Sequence, residues 1–503
     1  MAIQLPEYPE SYWRRTAELP VFPRLTQDLK TEFAVVGGGI TGLTTAYLLA
    51  KEGRRVALLT ADRLLSGTTG YTTAKITAQH DLIYDELISH FGEDNAQLYY
   101  QANAGALSFM RILVAGQGIA CDFVDEDAVV YATREEGLHK IEKEYAAYQK
   151  LGIEVERYAS LSLPFGATAA LSMKRQARFH PGPYAAFLAS EIVRLGGEIF
   201  EETTVDKFHE GEPATVTTKD GYTVTCDAVA SCSHFPFFDN GLYFARLHAE
   251  TSYVIAVKSP YDYPGGMYIS ADEPKRSVRT VTYNGEQLLL IGGESHKTGQ
   301  GECTIEHYEA LKRFASETFG VDEIRYRWST HDLVTLDKLP YIGHARKGTP
   351  NLLVATGYRK WGMTSSAVAG RLLADLLLER DNPYAELFGP SRFHANPDVA
   401  TLAKETASTA YHFVKGKLEW LKKDPEELGL DEGAAVRIHG RRCGAYRDHE
   451  GKLHTVDTTC THMGCETEWN AGDRTWDCPC HGSRFKYDGE VINGPAKEPL
   501  KRL

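Results

Sequence analysis

Phe33-Ala34-Val35-Val36-Gly37-Gly38-Gly39-Ile40-Thr41-Gly42 decides the fold of the larger part of the chain. Four apolar residues in a row read as a short buried strand, the glycines as a turn, and Leu43 to about Lys51 as an amphipathic helix that Gly53 ends. Arg55-Val56-Ala57-Leu58-Leu59 reads as the next strand. Strand, glycine turn, helix and strand in that order give an otherwise weak G-x-G-x-x-G the context of a dinucleotide site. Gly37 permits the tight turn, Gly39 lets the backbone approach a pyrophosphate, and Gly42 lets helix and strand pack closely. The helix start, with Ile40 and Thr41, then presents unpaired N–H groups and a positive dipole end to the phosphates. At the end of the second strand, where Asp or Glu usually binds the ribose, Thr60 stands instead. Either Thr60 accepts the hydrogen bond or Asp62, two residues on, takes over.

At the other end of the chain lie two boxes, Cys460-Thr461-His462-Met463-Gly464-Cys465 and Cys478-Pro479-Cys480-His481-Gly482-Ser483. Cys460 and Cys478 can supply two thiolates to one iron, and His462 and His481 two neutral imidazoles to the other. That is the ligand set of a Rieske [2Fe–2S] centre, which carries single electrons. A Cys2His2 zinc site also uses sulfur and nitrogen. It would not require the second cysteine pair, Gly464, or the Gly482-Ser483 after the last ligand. In a Rieske centre the second cysteine of each box, Cys465 and Cys480, is free to form a disulfide linking the cluster loops.

With 503 residues the chain has room for about three domains. A hydrophobic content of 43% with 24% charged residues is that of an ordinary globular protein. The net charge of −13 argues against nucleic acid or an anionic membrane as partner. No apolar stretch approaches transmembrane length, and Arg14-Arg15 is not followed by an apolar export segment. The five cysteines outside the boxes, Cys121, Cys226, Cys232, Cys303 and Cys443, are widely spaced and read as structural, so a cytoplasmic location is expected.

Residues 1–30, rich in proline and aromatics, read as an extended arm. Later segments add to the dinucleotide reading: the loop Ser66-Gly67-Thr68-Thr69-Gly70, the turn Asp337-Lys338-Leu339-Pro340-Tyr341-Ile342-Gly343, and the return Gly357-Tyr358-Arg359-Lys360-Trp361-Gly362-Met363 before an apolar helix from Ser365. In that order these segments resemble the D-amino-acid oxidase/sarcosine oxidase family of FAD enzymes, over about residues 31–380. With the cysteine–histidine boxes, the whole chain resembles FAD-dependent oxidoreductases bearing a C-terminal Rieske domain.

The resemblance implies an α/β plus β architecture. A Rossmann-type FAD-binding domain (about 31–83, 150–244 and 331–380) is interleaved with an α+β substrate domain (about 84–149 and 245–330). A helical linker (381–425, with helical spacing reaching Trp420-Leu421) leads to a small all-β Rieske domain (426–503). The expected cofactors are FAD and a [2Fe–2S] cluster. FAD would be held by Gly37, Gly39, Ile40, Thr41, Gly42, Thr60, Thr68, Thr69, Gly357, Tyr358, Gly362 and Met363. Lys75 and His80, beside the expected flavin ring, are candidates for catalysis, with a structural role as the alternative. Arg279 is a candidate carboxylate clamp, with a surface salt bridge as the alternative. Sarcosine-oxidase-like members place a lysine over the flavin where oxygen reacts, and the comparable strand Leu288–Glu294 has none, though Lys297 is near. In the Rieske boxes Ser483 matches a serine that bonds a bridging sulfide. Phe485 stands where a sulfur-bonding tyrosine is usual, and Gly494-Pro495-Ala496 resembles the loop that covers the cluster. The expected activity is oxidation of a small amine or amino acid, with electrons passed through the cluster to a one-electron carrier protein or quinone-like acceptor. The rivals are the reverse flow from a ferredoxin-like donor and a redox sensor without a substrate.

Overall fold

The computed structural model describes every residue except 1–2, 162, 239–240, 284, 302–303, 419–422 and 439. Cys303 and the linker end at Trp420-Leu421 therefore lie outside the described residues. Phe33–Val36, buried at all four positions, sits inside a six-stranded sheet. Its order is Tyr341–His344, Leu352–Thr356, Ala228–Ser231, Phe33–Val36, Val56–Leu59 and Glu198–Phe200. All pairings are parallel except the outermost, Tyr341–His344 with Leu352–Thr356. A parallel sheet needs cover on both faces. Helices Ile40–Lys51, Pro181–Arg194 and Gly362–Leu377 pack on one face, through Val35, Ile40, Leu43, Leu188 and Leu372. A small four-stranded sheet, Leu29–Lys30, Thr223–Cys226, Ala214–Thr218 and Val205–His209, covers the other through Ala34, Leu59, Val216 and Val224. The first helix begins at Ile40, three residues before the expected Leu43, because the extended Gly39 already serves as its cap. The late helix likewise begins at Gly362, ahead of Ser365.

A larger sheet stands beside this unit, in the order Glu323–Thr335, Leu247–Lys258, Glu286–Lys297, Arg276–Tyr283, Met267–Ser270, Val124–Ala132, Ala169–Arg178 and Lys75–Ile76. It draws 75–76 and 169–178 from segments that the sequence reading gave to the FAD-binding part, because Ala169–Arg178 pairs antiparallel with Val124–Ala132 along nearly its whole length. The arm is anchored as well as extended. Its short helix Tyr12–Thr16 buries Tyr12 and Trp13, and Trp13 Nε1 donates to Thr72 O at 2.6 Å.

The C-terminal domain is two small antiparallel sheets, Glu432–Ile438/Arg441–Arg447/Leu453–Val456 and Glu468–Asn470/Thr475–Asp477/Arg484–Lys486/Val491–Asn493. Helix Ala395–Leu418 touches both halves of the molecule. Glu405 pairs with Lys297 at 2.7 Å, and Thr409 donates to Cys480 O at 3.4 Å.

The principal tie between the halves is a buried polar network. Arg484 reaches Asp477 (Nε, 3.1 Å), Asp473 (Nη2, 2.8 Å) and, across the boundary, Ser329 Oγ (Nη1, 3.4 Å). Asp473 also accepts from Ser329 at 2.5 Å and from Tyr308 at 2.9 Å, while Arg327 donates to Gly472 O at 2.5 Å. Burial alone would lower the Arg484 pKa, but Asp477 and Asp473 reverse this and hold it raised, so the group is charged. Removing one partner leaves buried charge uncompensated. Arg484→Met is expected to destabilise the C-terminal half by about 3–5 kcal/mol, read as an earlier unfolding transition of the holoprotein in scanning calorimetry.

Candidate active site and metal centre

The glycine turn opens into a cavity of about 900 Å³, at the upper end of ligand cavities and suited to a dinucleotide. Gly37, Gly39, Ile40, Thr41, Thr60, Thr68, Thr69, Gly357, Tyr358, Gly362 and Met363 all line it. Gly42 does not. A Cβ there would lie 2.0 Å from Gly37 O, so its place is the close contact between turn and helix. Gly37 has φ +122°, and a Cβ on it would meet Cys232 O at 2.4 Å. The helix Ile40–Lys51 has no side-chain cap, and its first N–H reaches only Thr69 Oγ1 at 3.3 Å. That leaves a donor cradle for a pyrophosphate. Tyr358 OH meets Thr41 Oγ1 at 2.9 Å, joining the two glycine-rich segments. Thr60 and Asp62 both line the adenosine end, where Asp62 accepts from Arg63 N–H at 2.7 Å. The residues therefore fit FAD.

The substrate candidates separate. Lys75 lines the cavity without an ion pair among the described residues. Burial, with Arg279 behind it, brings its pKa down to about 7. His80 backs the wall instead. It stacks on Trp361 at 4.8 Å, its Nδ1 meets Tyr99 OH at 2.6 Å, and burial lowers its pKa to about 3. Arg279 is neither in the cavity nor on the surface. It is 1% exposed, lies against the Trp13 ring at 5.2 Å, and donates to the carbonyls of Thr73 and Thr280. Its guanidinium packs on Trp13 of the arm instead of lining the cavity. Lys297 is likewise committed, to Glu405.

Arg359 and Lys360, which the sequence reading passed over, line the cavity. Lys360 is held by Glu250 at 3.1 Å and by Ser252 Oγ at 2.9 Å, whereas Arg359 makes one long contact, to His80 O at 3.3 Å. Their signal was their position inside the Gly357–Met363 return. Asp332, also in the wall, has its pKa pushed up to about 7 by burial.

In the C-terminal boxes Cys460 and Cys478 are free and buried, and Cys465 and Cys480 form a disulfide. The Cys478 sulfur lies within 4.8 Å of both disulfide sulfurs. The Cys460 and Cys478 thiols interact. The contact pulls the Cys460 pKa down to about 7 and pushes that of Cys478 up, as two thiols do when they share one proton. The His462 and His481 rings stand 4.9 Å apart, nearly perpendicular. Burial lowers both pKa values, His481 to about 4, so both are the neutral imidazoles that ligate metal. Buried His462 Nδ1 has no hydrogen-bond partner among the described residues. Two thiols, two neutral imidazoles and an orphaned ring nitrogen fit a [2Fe–2S] cluster, with Cys460, Cys478, His462 and His481 as the residues that would hold it. Ser483 Oγ accepts from Ala496 N–H at 3.0 Å, fastening the Gly494-Pro495-Ala496 loop over the site, and its hydroxyl helps to lower the Cys460 pKa. That same segment, Asn493 to Lys497, forms one wall of the 900 Å³ cavity. Phe244 of the larger half lies edge-on to both imidazoles, at 5.9 Å from His462 and 5.7 Å from His481.

The family model described as FAD dependent oxidoreductase matches residues 32–376, and that of the Rieske [2Fe-2S] domain matches 421–503. A Bacillus subtilis protein named as a Rieske 2Fe-2S iron-sulfur protein, YhfW, is 50% identical over 498 residues, covering 99% of this chain and 98% of its own. Gamma-glutamylputrescine oxidoreductase of Escherichia coli is 24% identical over 76% of this chain and 92% of its own. Among solved structures, glycine oxidase from Geobacillus kaustophilus superposes with a TM-score of 0.61 at 21% identity, over 73% of this chain and 99% of that one, a likeness of fold. No described helix is long and apolar enough to cross a membrane.

Hydrogen bonds to cluster sulfurs favour the reduced, more negative state. One bond of about 1 kcal/mol corresponds to roughly 40 mV for a one-electron couple. Ser483→Ala is expected to lower the cluster potential by about that amount, and Phe485→Tyr to raise it, in protein-film voltammetry of cluster-replete variants.

Proposed function

The chain belongs to the FAD dependent oxidoreductase family and ends in a Rieske domain, and on that basis we propose that it is a cytoplasmic dehydrogenase for a small amine or amino acid. FAD, held at the glycine turn, would supply hydride acceptance, and a [2Fe–2S] cluster, held by Cys460, Cys478, His462 and His481, would supply single-electron transfer to an outside one-electron carrier. The observation that carries this reading is the shared wall: Asn493–Lys497, fastened to the cluster site by Ser483, line the same cavity as the dinucleotide motif. Two redox domains merely joined by a tether would not build one cavity.

The protein groups are suited to such a substrate. Arg359 and Lys75, the least committed cations of the wall, would hold a carboxylate, and Arg359 takes the role expected of Arg279. Lys360 balances Glu250 and steadies the wall beside Asp332. Tyr253, Val254 and Trp361 supply apolar surface that excludes water. Orientation by these groups supplies the geometry that amine oxidation needs.

His481→Ala removes a residue that would ligate the cluster and leaves the cavity wall in place, whereas truncation after Lys423 would remove part of that wall. In the variant, anaerobic bleaching of the flavin by a substrate found in a screen of amines and amino acids should proceed at the rate of the parent protein. Turnover with a one-electron acceptor protein should fall at least about a hundredfold, as when a group acting as part of a unit is removed. Full turnover in the cluster-free variant would show that electrons leave by another route.

Lys75 is charged below about pH 7 and neutral above it. A simple carboxylate without an amine, titrated against the flavin spectrum, is therefore expected to bind progressively more weakly as pH rises through about 7. Lys75→Met should abolish that dependence.

A further inference from the structure

His331 occupies the boundary between the two sites and serves neither. It stands in strand Glu323–Thr335, 4% exposed, between Thr330 and Asp332, which line the cavity. Its backbone carbonyl accepts from the hydroxyl of Thr68, a residue of the flavin cavity, at 3.2 Å. Its side chain meets Gly482 O, one residue past His481, at 2.9 Å through Nε2. A carbonyl can only accept, so Nε2 carries the hydrogen. Nδ1 of the neutral ring then accepts from His234 Nε2, a long contact of 3.4 Å, and His234 Nδ1 lies 3.5 Å from Thr68 Oγ1. His234 is itself pinned, since its backbone carbonyl accepts from Thr356 at 2.5 Å. Burial holds both imidazoles neutral, lowering the pKa of His234 to about 4 and that of His331 well below its ordinary value. Both ring hydrogens are thus assigned to Nε2, and the one Thr68 hydroxyl hydrogen goes to His331 O, the shorter of its two contacts. The approach is close enough to constrain the cluster loop: a Cβ on Gly482 would lie 3.0 Å from His331 Nε2 and 2.2 Å from the Ala249 side chain.

We propose that His331, backed by His234, is the positioning residue that holds the cluster loop in electron-transfer register with the flavin cavity. The proposal rests on the relay reading above. A single electron crossing between the two sites leaves the donor oxidised by one and the acceptor reduced by one, and requires no atom to move along the histidine pair. The carbonyl of Gly482 cannot take up a proton, so the pair holds the geometry and carries no proton. The outside one-electron carrier removes the electron from the cluster.

The test uses the full chain with both cofactors loaded. Flavin and iron contents, hydrogen exchange at residues 66–70 and 478–483, and the rate of flavin-to-cluster electron equilibration after flash reduction are measured for the parent, His331→Leu and His331→Gln. Loss of the donor in His331→Leu should leave flavin and iron contents intact, speed exchange in both loops, and slow equilibration at least about tenfold, as small misplacements of reacting groups do. His331→Gln, which keeps an N–H donor, should recover most of the rate. If the leucine variant does not fold, His331→Asn, whose shorter side chain keeps the donor but falls short of Gly482, should show the same slowing relative to His331→Gln. Unchanged equilibration in the leucine or asparagine variant, with both cofactors present, would overturn the proposal. Absence of equilibration in the parent protein would instead overturn the relay reading.

Discussion

The buried network that joins the two halves is centred on a guanidinium kept charged inside protein. An arginine away from water is tolerated only when its donors are used and its charge is matched. Arg484 meets both conditions, with Asp477 on its own sheet, Asp473 at the turn, and Ser329 supplied by the larger half. The network is therefore complete only when the halves are docked. Because Arg484 lies one residue from Ser483 and two from Gly482, the geometry it fixes reaches directly into the cluster loops. The cavity wall, the His331 contact and the packing of Phe244 on both imidazoles all lie at this same junction.

The parts of the fold legible in the sequence were those with local causes. The glycine turn announces itself because only residues lacking Cβ fit where Gly37 and Gly42 approach other backbone. The cysteine–histidine boxes announce themselves because four ligands must come from two short loops. In both cases the structure brings together what the spacing implied.

What stayed hidden was set by contacts distant in sequence. Nothing near Arg279 shows that Trp13, far earlier in the chain, will lie over its guanidinium. Strands 75–76 and 169–178 looked like parts of the nucleotide domain until their pairing with each other and with Val124–Ala132 placed them in the second sheet. His331 is a single histidine in a strand buried along most of its length, and it gains its meaning only from a register that sets it against Gly482. Arg359 lay in plain view within a recognised motif. The sequence shows the motif's glycines but not the direction of the side chain between them.

The shared wall also sets an order of assembly. Asn493–Lys497 leave the ribosome after every other residue that lines the cavity except Pro499. The nascent nucleotide domain is thus open on one side while the cluster loops are still unmade. The cavity acquires this wall only when the last domain docks. The wall that completes the dinucleotide cavity is thus supplied by the domain that carries the cysteine–histidine boxes.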